Sequence, residues 1–180
     1  MIMKSDSTTR LKEIDRIIEA TKENTKLMRE TRLSLEKLEE QHGNLANNVA
    51  DAVEDAVYYN LEARKRLGGL KFDTVIRHAK DLRGKEYDVV MQNGENVAVV
   101  EVKHKVHIND IDKLVGDTLP KFRKGYSADL KNVNVFGAIA GMSFPPDFKK
   151  KAEEAGLFVL TQNGKNIKVG NSRGFKPKAF

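Results

Sequence analysis

The sequence predicts an α/β fold: a mixed β-sheet flanked by helices and preceded by a long N-terminal coiled-coil helix. Three observations predict it. Up to residue 64 the apolar residues recur at helical spacing with no Pro and a single Gly; after Gly68-Gly69 come runs rich in Val, Ile, Phe and Tyr bounded by turn residues; and an amphipathic stretch between the third and fourth of those runs requires a crossover.

The helix comes first. Leu11, Ile14, Ile18, Thr21, Thr25 and Met28 follow the alternating steps of three and four of a heptad seam. Thr31, Leu35, Leu38, His42, Leu45, Val49, Ala52 and Ala56 continue it after one extra three-residue step, a local stammer. Lys, Glu, Arg and Asp fill most positions between. This is one long helix or two nearly collinear ones, and its narrow apolar stripe needs a cover. A second copy of the helix is the expected cover, which makes the chain a homo-oligomer; a helix lying on its own domain is the alternative, and the threonines leave the number of strands open.

The strands follow. Leu70 to His78, Glu86 to Gln92 and Asn96 to Lys105 form three successive runs, the last two joined by Asn93-Gly94, a hairpin signal. Asn109 is expected to cap a helix carrying Ile111, Leu114, Val115, Leu119 and Phe122 on one face, with Pro120 kinking or ending it. Val133 to Met142 reads as a strand buried on both faces. Pro145-Pro146 opens a helix closed by Gly156, and Leu157 to Thr161 and Ile167 to Val169 are short strands about Asn163-Gly164. The first three strands should form an antiparallel meander. Residues 1–47 are thus a helical oligomerisation segment, 48–172 the α/β domain and 173–180 a loose basic tail.

Composition narrows the chemistry. The 180 residues, 39% of them hydrophobic, suffice for one core plus an accessory element. With no cysteine there are no disulfides, thiolate nucleophiles or Cys-held zinc, and any metal must be bound through carboxylate, imidazole or carbonyl groups. No apolar run approaches the ~20 residues that cross a bilayer, and the first ten residues lack the apolar core of a secretory signal, so no membrane association and a cytoplasmic location are expected. A net charge of +6 suits a polyanionic partner and equally suits a well-solvated surface.

The segment EYDVVMQNGENVAVVEVKHKV sets Asp88, Glu101 and Lys103 inside strands that should be buried. With Asn93-Gly94 at the centre of the turn, Val90 faces Val97 and Asp88 faces Val99, so that Asp88, Glu101 and Lys103 share a face and the two acids are diagonal neighbours. A four-residue loop keeps this arrangement; a loop of three or five sends Asp88 to the other side. Two neighbouring carboxylates repel and are costly to bury, which a hard divalent cation, Mg²⁺ or Mn²⁺, would relieve, with the Val102 carbonyl as one further ligand. Lys103 could then orient the attacking water and stabilise charge on a phosphate. A purely structural triad of Asp, Glu and Lys explains the same pattern. His104 falls on the strand face opposite Lys103 and, with His107, reads as surface or packing rather than metal binding.

These residues also resemble a family. Asp88, a turn, and Glu101-Val102-Lys103 preceded by Val97-Ala98-Val99-Val100 are similar to the signature of the PD-(D/E)xK nuclease superfamily, an acid followed by a hairpin and an E-x-K on the next strand. The order of elements from about Asn48 to Val169 is similar to its core too, in an uncharacterised branch with a long helical N-terminus and a late strand here reading GLFVL. The resemblance implies a restriction-endonuclease-like fold and Mg²⁺- or Mn²⁺-dependent hydrolysis of nucleic acid, DNA above all, with Asp88, Glu101 and Lys103 as the catalytic set. It also implies a helix-borne acid in the metal site, for which Glu54 in NNVADAVEDAVYYNL matches and Asp51 or Asp55 are substitutes. Tyr87 stands where the signature has Pro. Lys65-Arg66, Arg83 with Lys85, Lys121 with Arg123 and Lys124, and Lys149 to Lys151 could grip phosphates. A catalytically inactive member of the fold, acting as an oligomeric scaffold for nucleic acid or protein, is the alternative function.

Overall fold

The computed structural model describes residues 3–126, 132–164 and 166–180, with side chains from residue 11 onward. Two compact units divide the chain, Met1–Asn47 and Asn48–Phe180, and helix α1 (Met3–Arg64) contributes to both. Within residues 11–47 the seam is unburied, with Leu11, Ile14, Ile18, Leu35, Leu38 and Leu45 all exposed. Thr21, Thr25 and Thr31 turn their hydroxyls back onto the carbonyls four residues earlier, which satisfies them without a partner.

In the second unit α1 ends where Lys65 adopts a left-handed conformation and its N–H returns to the Leu61 carbonyl. Strands β1 (Arg66–Leu67) and β2 (Leu70–Lys71) then form a small hairpin of their own around Gly68-Gly69. Gly68 is required there twice over, by φ 58° and by the Phe158 ring 2.8 Å from where a Cβ would stand. The single strand expected over Leu70 to His78 is therefore two, because Phe72 N–H turns back to the Lys65 carbonyl before Asp73 N–H joins the main sheet at Gln92.

That sheet holds β3 (Thr74–Lys80), β4 (Glu86–Gln92), β5 (Asn96–Lys105), β6 (Asn134–Ser143), β7 (Phe158–Asn163) and β8 (Asn166–Val169), side by side in chain order. The first three make the antiparallel meander, β5–β6 and β6–β7 are parallel, and β8 returns antiparallel. The fold is a mixed α/β sheet flanked by helices. Helices α2 (Ile108–Lys113) and α3 (Leu119–Gly125), joined by a π turn over Leu114–Thr118, lie between β5 and β6; α4 (Pro146–Glu154) lies between β6 and β7.

Two apolar layers sandwich the sheet. Val53, Val57 and Leu61 of α1 pack against Val89, Met91, Val100 and Ala138 on one face. Ile111, Leu114, Leu119, Phe122 and Ala152 pack against Val90, Val97, Val99 and Ile139 on the other. The double coverage explains the unbroken apolar run of β6, buried from Val135 to Gly141. Tyr87 anchors the second layer edge-on to Phe122, ring centres 4.9 Å apart, and its hydroxyl donates to Asp81 in the β3–β4 turn.

Three local expectations change. Helix α2 begins at Ile108 after His107, not at Asn109, because the Asp110 carboxylate accepts the His107 N–H at 2.7 Å. Pro120 does not end the helical run, which continues to Gly125: it follows the π turn over Leu114–Thr118 and stands in the first turn of α3. The tail, expected to be loose, is held by backbone bonds from Lys178 N–H to the Gly156 carbonyl and from Phe180 N–H to the Val135 carbonyl, with Ala179 bridged to Phe136. It covers the stretch of β6 that β7, pairing only from Ala138, leaves open.

Candidate active site

The β4–β5 hairpin closes through four residues, Asn93 to Asn96, rather than a two-residue turn centred on Asn93-Gly94. Asn93 Oδ1 accepts the N–H groups of Glu95 and Asn96 at 2.9 and 2.7 Å, and its own N–H bonds the Asn96 carbonyl. The register shifts with it: Gln92 faces Val97, Val90 faces Val99 and Val89 faces Val100. Continued by one residue, this register sets Asp88 directly across from Glu101 rather than from Val99. An even loop preserves the side of the sheet, so Asp88, Glu101 and Lys103 still come together.

The β4–β5 ladder, however, stops at Val89 and Val100, while β4 stays paired with β3 as far as Glu86 and β5 with β6 as far as Lys105. The sheet forks at Asp88 and Glu101. Val102 N–H, beyond the last paired residues, is taken by the Asp88 carboxylate at 2.7 Å instead of by a β4 carbonyl. Since one strand residue's N–H and C=O point the same way, the Val102 carbonyl also faces the fork. Lys103 Nζ binds Glu101 Oε1 at 2.7 Å, with Glu101 only 20% exposed.

The electrostatics follow from this placement. Burial pushes the Asp88 carboxyl up to about 6; the Glu101 charge adds to the rise, the Val102 N–H and Lys103 oppose it, and Glu54 contributes least. Burial acts to lower the Lys103 ammonium, yet the bond to Glu101 and the charges of Glu101 and Asp88 outweigh it and hold it above its ordinary value.

Glu54 is half-buried on α1 beside Val53, with its Oε2 3.9 Å from His78 Nε2. Asp55 pairs with Arg77 instead, and Asp51 is exposed. Among the described residues no three His, Asp or Glu side chains converge tightly enough to hold a metal between them. What the fork offers a hard cation is two carboxylates and a carbonyl, oxygen donors of the right kind, with one acid that resists ionising in the absence of positive charge. His104 and His107 are exposed.

Several basic clusters carry acidic partners: Lys65 with Glu62, Lys121 with Asp117, Lys149 with Glu153, Lys150 with Glu154 and Lys151 with Asp112. Arg123 donates to the Val133 and Phe180 carbonyls. Arg83 and Lys85, in the turn after β3, and Lys105, at the end of β5, lie at the forked end of the sheet. His78 is the residue that sequence reasoning missed. It stands in β3 at the register position opposite Asp88 of β4, with φ 49°, and its Nδ1 lies 2.8 Å from Glu86 Oε1. Nothing in TVIRHAK signals a left-handed residue.

No family model matches the chain, and no curated protein does. Among solved structures it resembles a repair endonuclease from Pyrococcus abyssi at 20% identity and TM-score 0.46, covering 61% of this chain and 46% of that one. It also resembles the small subunit of the heterodimeric restriction endonuclease R.BspD6I at 13% identity and TM-score 0.41, covering 66% of this chain and 69% of that one. The chain thus spans under half the length of the repair endonuclease. At these values neither likeness carries chemistry over. No helix among the described residues is long and apolar enough to cross a membrane.

Proposed function

We propose that the chain is a metal-dependent nuclease of the PD-(D/E)xK kind, hydrolysing phosphodiester bonds of nucleic acid, DNA in the first place, at the fork between β4 and β5. One observation carries the reading: two acids from opposing strands, Asp88 and Glu101, meet at a half-buried point with Lys103 beside them, and burial with the neighbouring charge holds Asp88 up to about 6. Partly buried carboxylates with raised pKa gather at functional sites, where a cation or substrate charge answers them.

Asp88, Glu101 and the Val102 carbonyl would hold Mg²⁺ or Mn²⁺, with Glu54 as the additional acid from α1. The cation would supply Lewis-acid activation of water and neutralise charge on the phosphate. Lys103, released from Glu101 once that carboxylate has another partner, would turn its ammonium to the attacking water and to the oxygen that gains charge. Arg83, Lys85 and Lys105 would grip the flanking phosphates, and the paired lysines elsewhere, in exposed and weak ion pairs, could exchange carboxylate for phosphate. The exposed seam of α1 would join copies of the chain into a homo-oligomer.

A second reading keeps the fold and drops the chemistry. Lys103 seated on Glu101 at 2.7 Å and Asp88 bonded to Val102 N–H are what a structural triad needs, leaving an oligomeric scaffold for nucleic acid or protein. Incubating plasmid, linear duplex and single-stranded DNA, and a matching RNA, with the protein in Mg²⁺, in Mn²⁺ and in EDTA separates the two. Metal-dependent cleavage is expected; binding without cleavage under either metal supports the scaffold.

A further inference from the structure

The β3–β4 ladder keeps one register from Thr74 opposite Gln92 to Lys80 opposite Glu86, with a single pair missing, His78 and Asp88. Across that gap both strands turn over. Val75 and Val89 pack in the layer beneath α1, yet Ala79 and Tyr87, an even number of residues away and so due on the same face, pack in the layer beneath α2 to α4. Each strand makes half a turn about its own axis within three residues. The left-handed residue in that stretch is His78, at φ 49°, in the middle of an edge strand, where an L side chain rarely sits. β4 follows the same half-turn with no left-handed residue of its own.

The half-turn coincides with the fork. Asp88 is the β4 residue at its centre and the residue at which β4 parts from β5, and its carboxylate there takes the Val102 N–H. The His78 imidazole touches Glu86 at 2.8 Å and lies 3.9 Å from Glu54.

Resting on the reading of the fork as the active site, we propose that His78 is a positioning residue: its left-handed backbone turns over the β3–β4 pair and thereby delivers the Asp88 carboxylate into the fork. The role belongs to the backbone conformation, so glycine should substitute for it and a β-branched residue should not. It acts through Asp88 and needs no contact with substrate.

Hydrogen exchange of the Val102 amide in the metal-free full chain tests this, because that N–H is protected by Asp88, whereas the amides of Val99 and Val100 belong to the paired part of the strand. In His78→Gly, Val102 protection relative to Val99 and Val100 should stay at the wild-type level; in His78→Val it should drop by about tenfold, the loss of one hydrogen bond. If His78→Val does not fold, His78→Thr, likewise β-branched but smaller and polar, takes its place. Cleavage should follow the same order, with kcat restored by Gly and KM little changed. Equal protection in all variants overturns the proposal, and so does equal loss in Gly and Val, which would assign the effect to the imidazole. A wild type that shows the exchange pattern and never cleaves nucleic acid would remove the nuclease reading and leave the positioning role standing.

Discussion

The Asp88 carboxylate accepts the Val102 N–H at 2.7 Å across a point where the two strands no longer pair. A side chain has replaced a backbone carbonyl in the ladder, and this places an acid within reach of Glu101 and Lys103. The measurable properties of the site follow from that substitution.

The first is the pH dependence of stability without metal. Burial and the Glu101 charge raise the Asp88 carboxyl from 3.8 to about 6, so the folded chain binds this proton more tightly than the unfolded one. The contribution is fully present below about pH 4 and is lost as pH rises to about 6, on the order of 2–3 kcal/mol over the window. Urea unfolding in EDTA at intervals from pH 4 to 7 should show the decline in the wild type and a flatter curve in Asp88→Asn.

Divalent cations should reverse that loss. A site of millimolar affinity adds ~1.4 kcal/mol at ten times its Kd, a rise of a few degrees in Tm. Asp88→Asn should abolish the dependence on Mg²⁺ and Mn²⁺ while stabilising the metal-free chain at neutral pH. Lys103→Ala, which removes the cation now on Glu101, should lower metal-free stability and leave the gain from metal in place.

How much of this could be read beforehand depended on the scale of the force involved. The β4–β5 hairpin and the meeting of Asp88, Glu101 and Lys103 were legible because the alternation of apolar residues fixes the parity of the hairpin as far as Val89, next to Asp88; the turning-over of β4 at Asp88 itself was not legible. The register within that parity was not, since it was set by Asn93 Oδ1 binding two N–H groups and widening the turn to four residues, a contest between side chain and backbone that composition does not decide. The break at Phe72 and the left-handed His78 were equally invisible: the first is set by the Phe72 N–H turning back to the Lys65 carbonyl, and nothing in TVIRHAK marks the second. Residues 173–180 read as loose for want of pattern, yet a short open stretch of β6 was enough to bind their end.

That tail gives a prediction of its own. Gly156 has φ 83° and a Cβ added there would meet the Lys178 backbone, whose N–H bonds the Gly156 carbonyl. Gly156→Ala should cost roughly 1–3 kcal/mol in urea unfolding and expose residues 176–180 to proteolysis.

The seam of α1 predicts self-association. Leu11, Ile14, Ile18, Leu35, Leu38 and Leu45 are exposed in the single chain, more apolar surface than a lone helix keeps in water. Sedimentation of the full chain should give an oligomer, and Ile18→Glu with Leu38→Glu should give a monomer of unchanged core stability. A wild type that sediments as a monomer at micromolar concentration removes the coiled coil.

The central claim, that the fork is a metal-dependent hydrolytic site, is tested most directly by the single-turnover cleavage rate of a DNA duplex in Mg²⁺, measured for the wild type and for Lys103→Ala purified side by side. Lys103 is assigned to charge that appears only as the phosphate is attacked, so its loss should slow cleavage by about 10²–10³-fold at unchanged DNA affinity. Cleavage that EDTA stops and Lys103→Ala nearly abolishes is the predicted result. Cleavage at the same rate in both proteins would place the activity elsewhere, and no cleavage by the wild type in either Mg²⁺ or Mn²⁺ would leave Asp88, Glu101 and Lys103 as a structural triad.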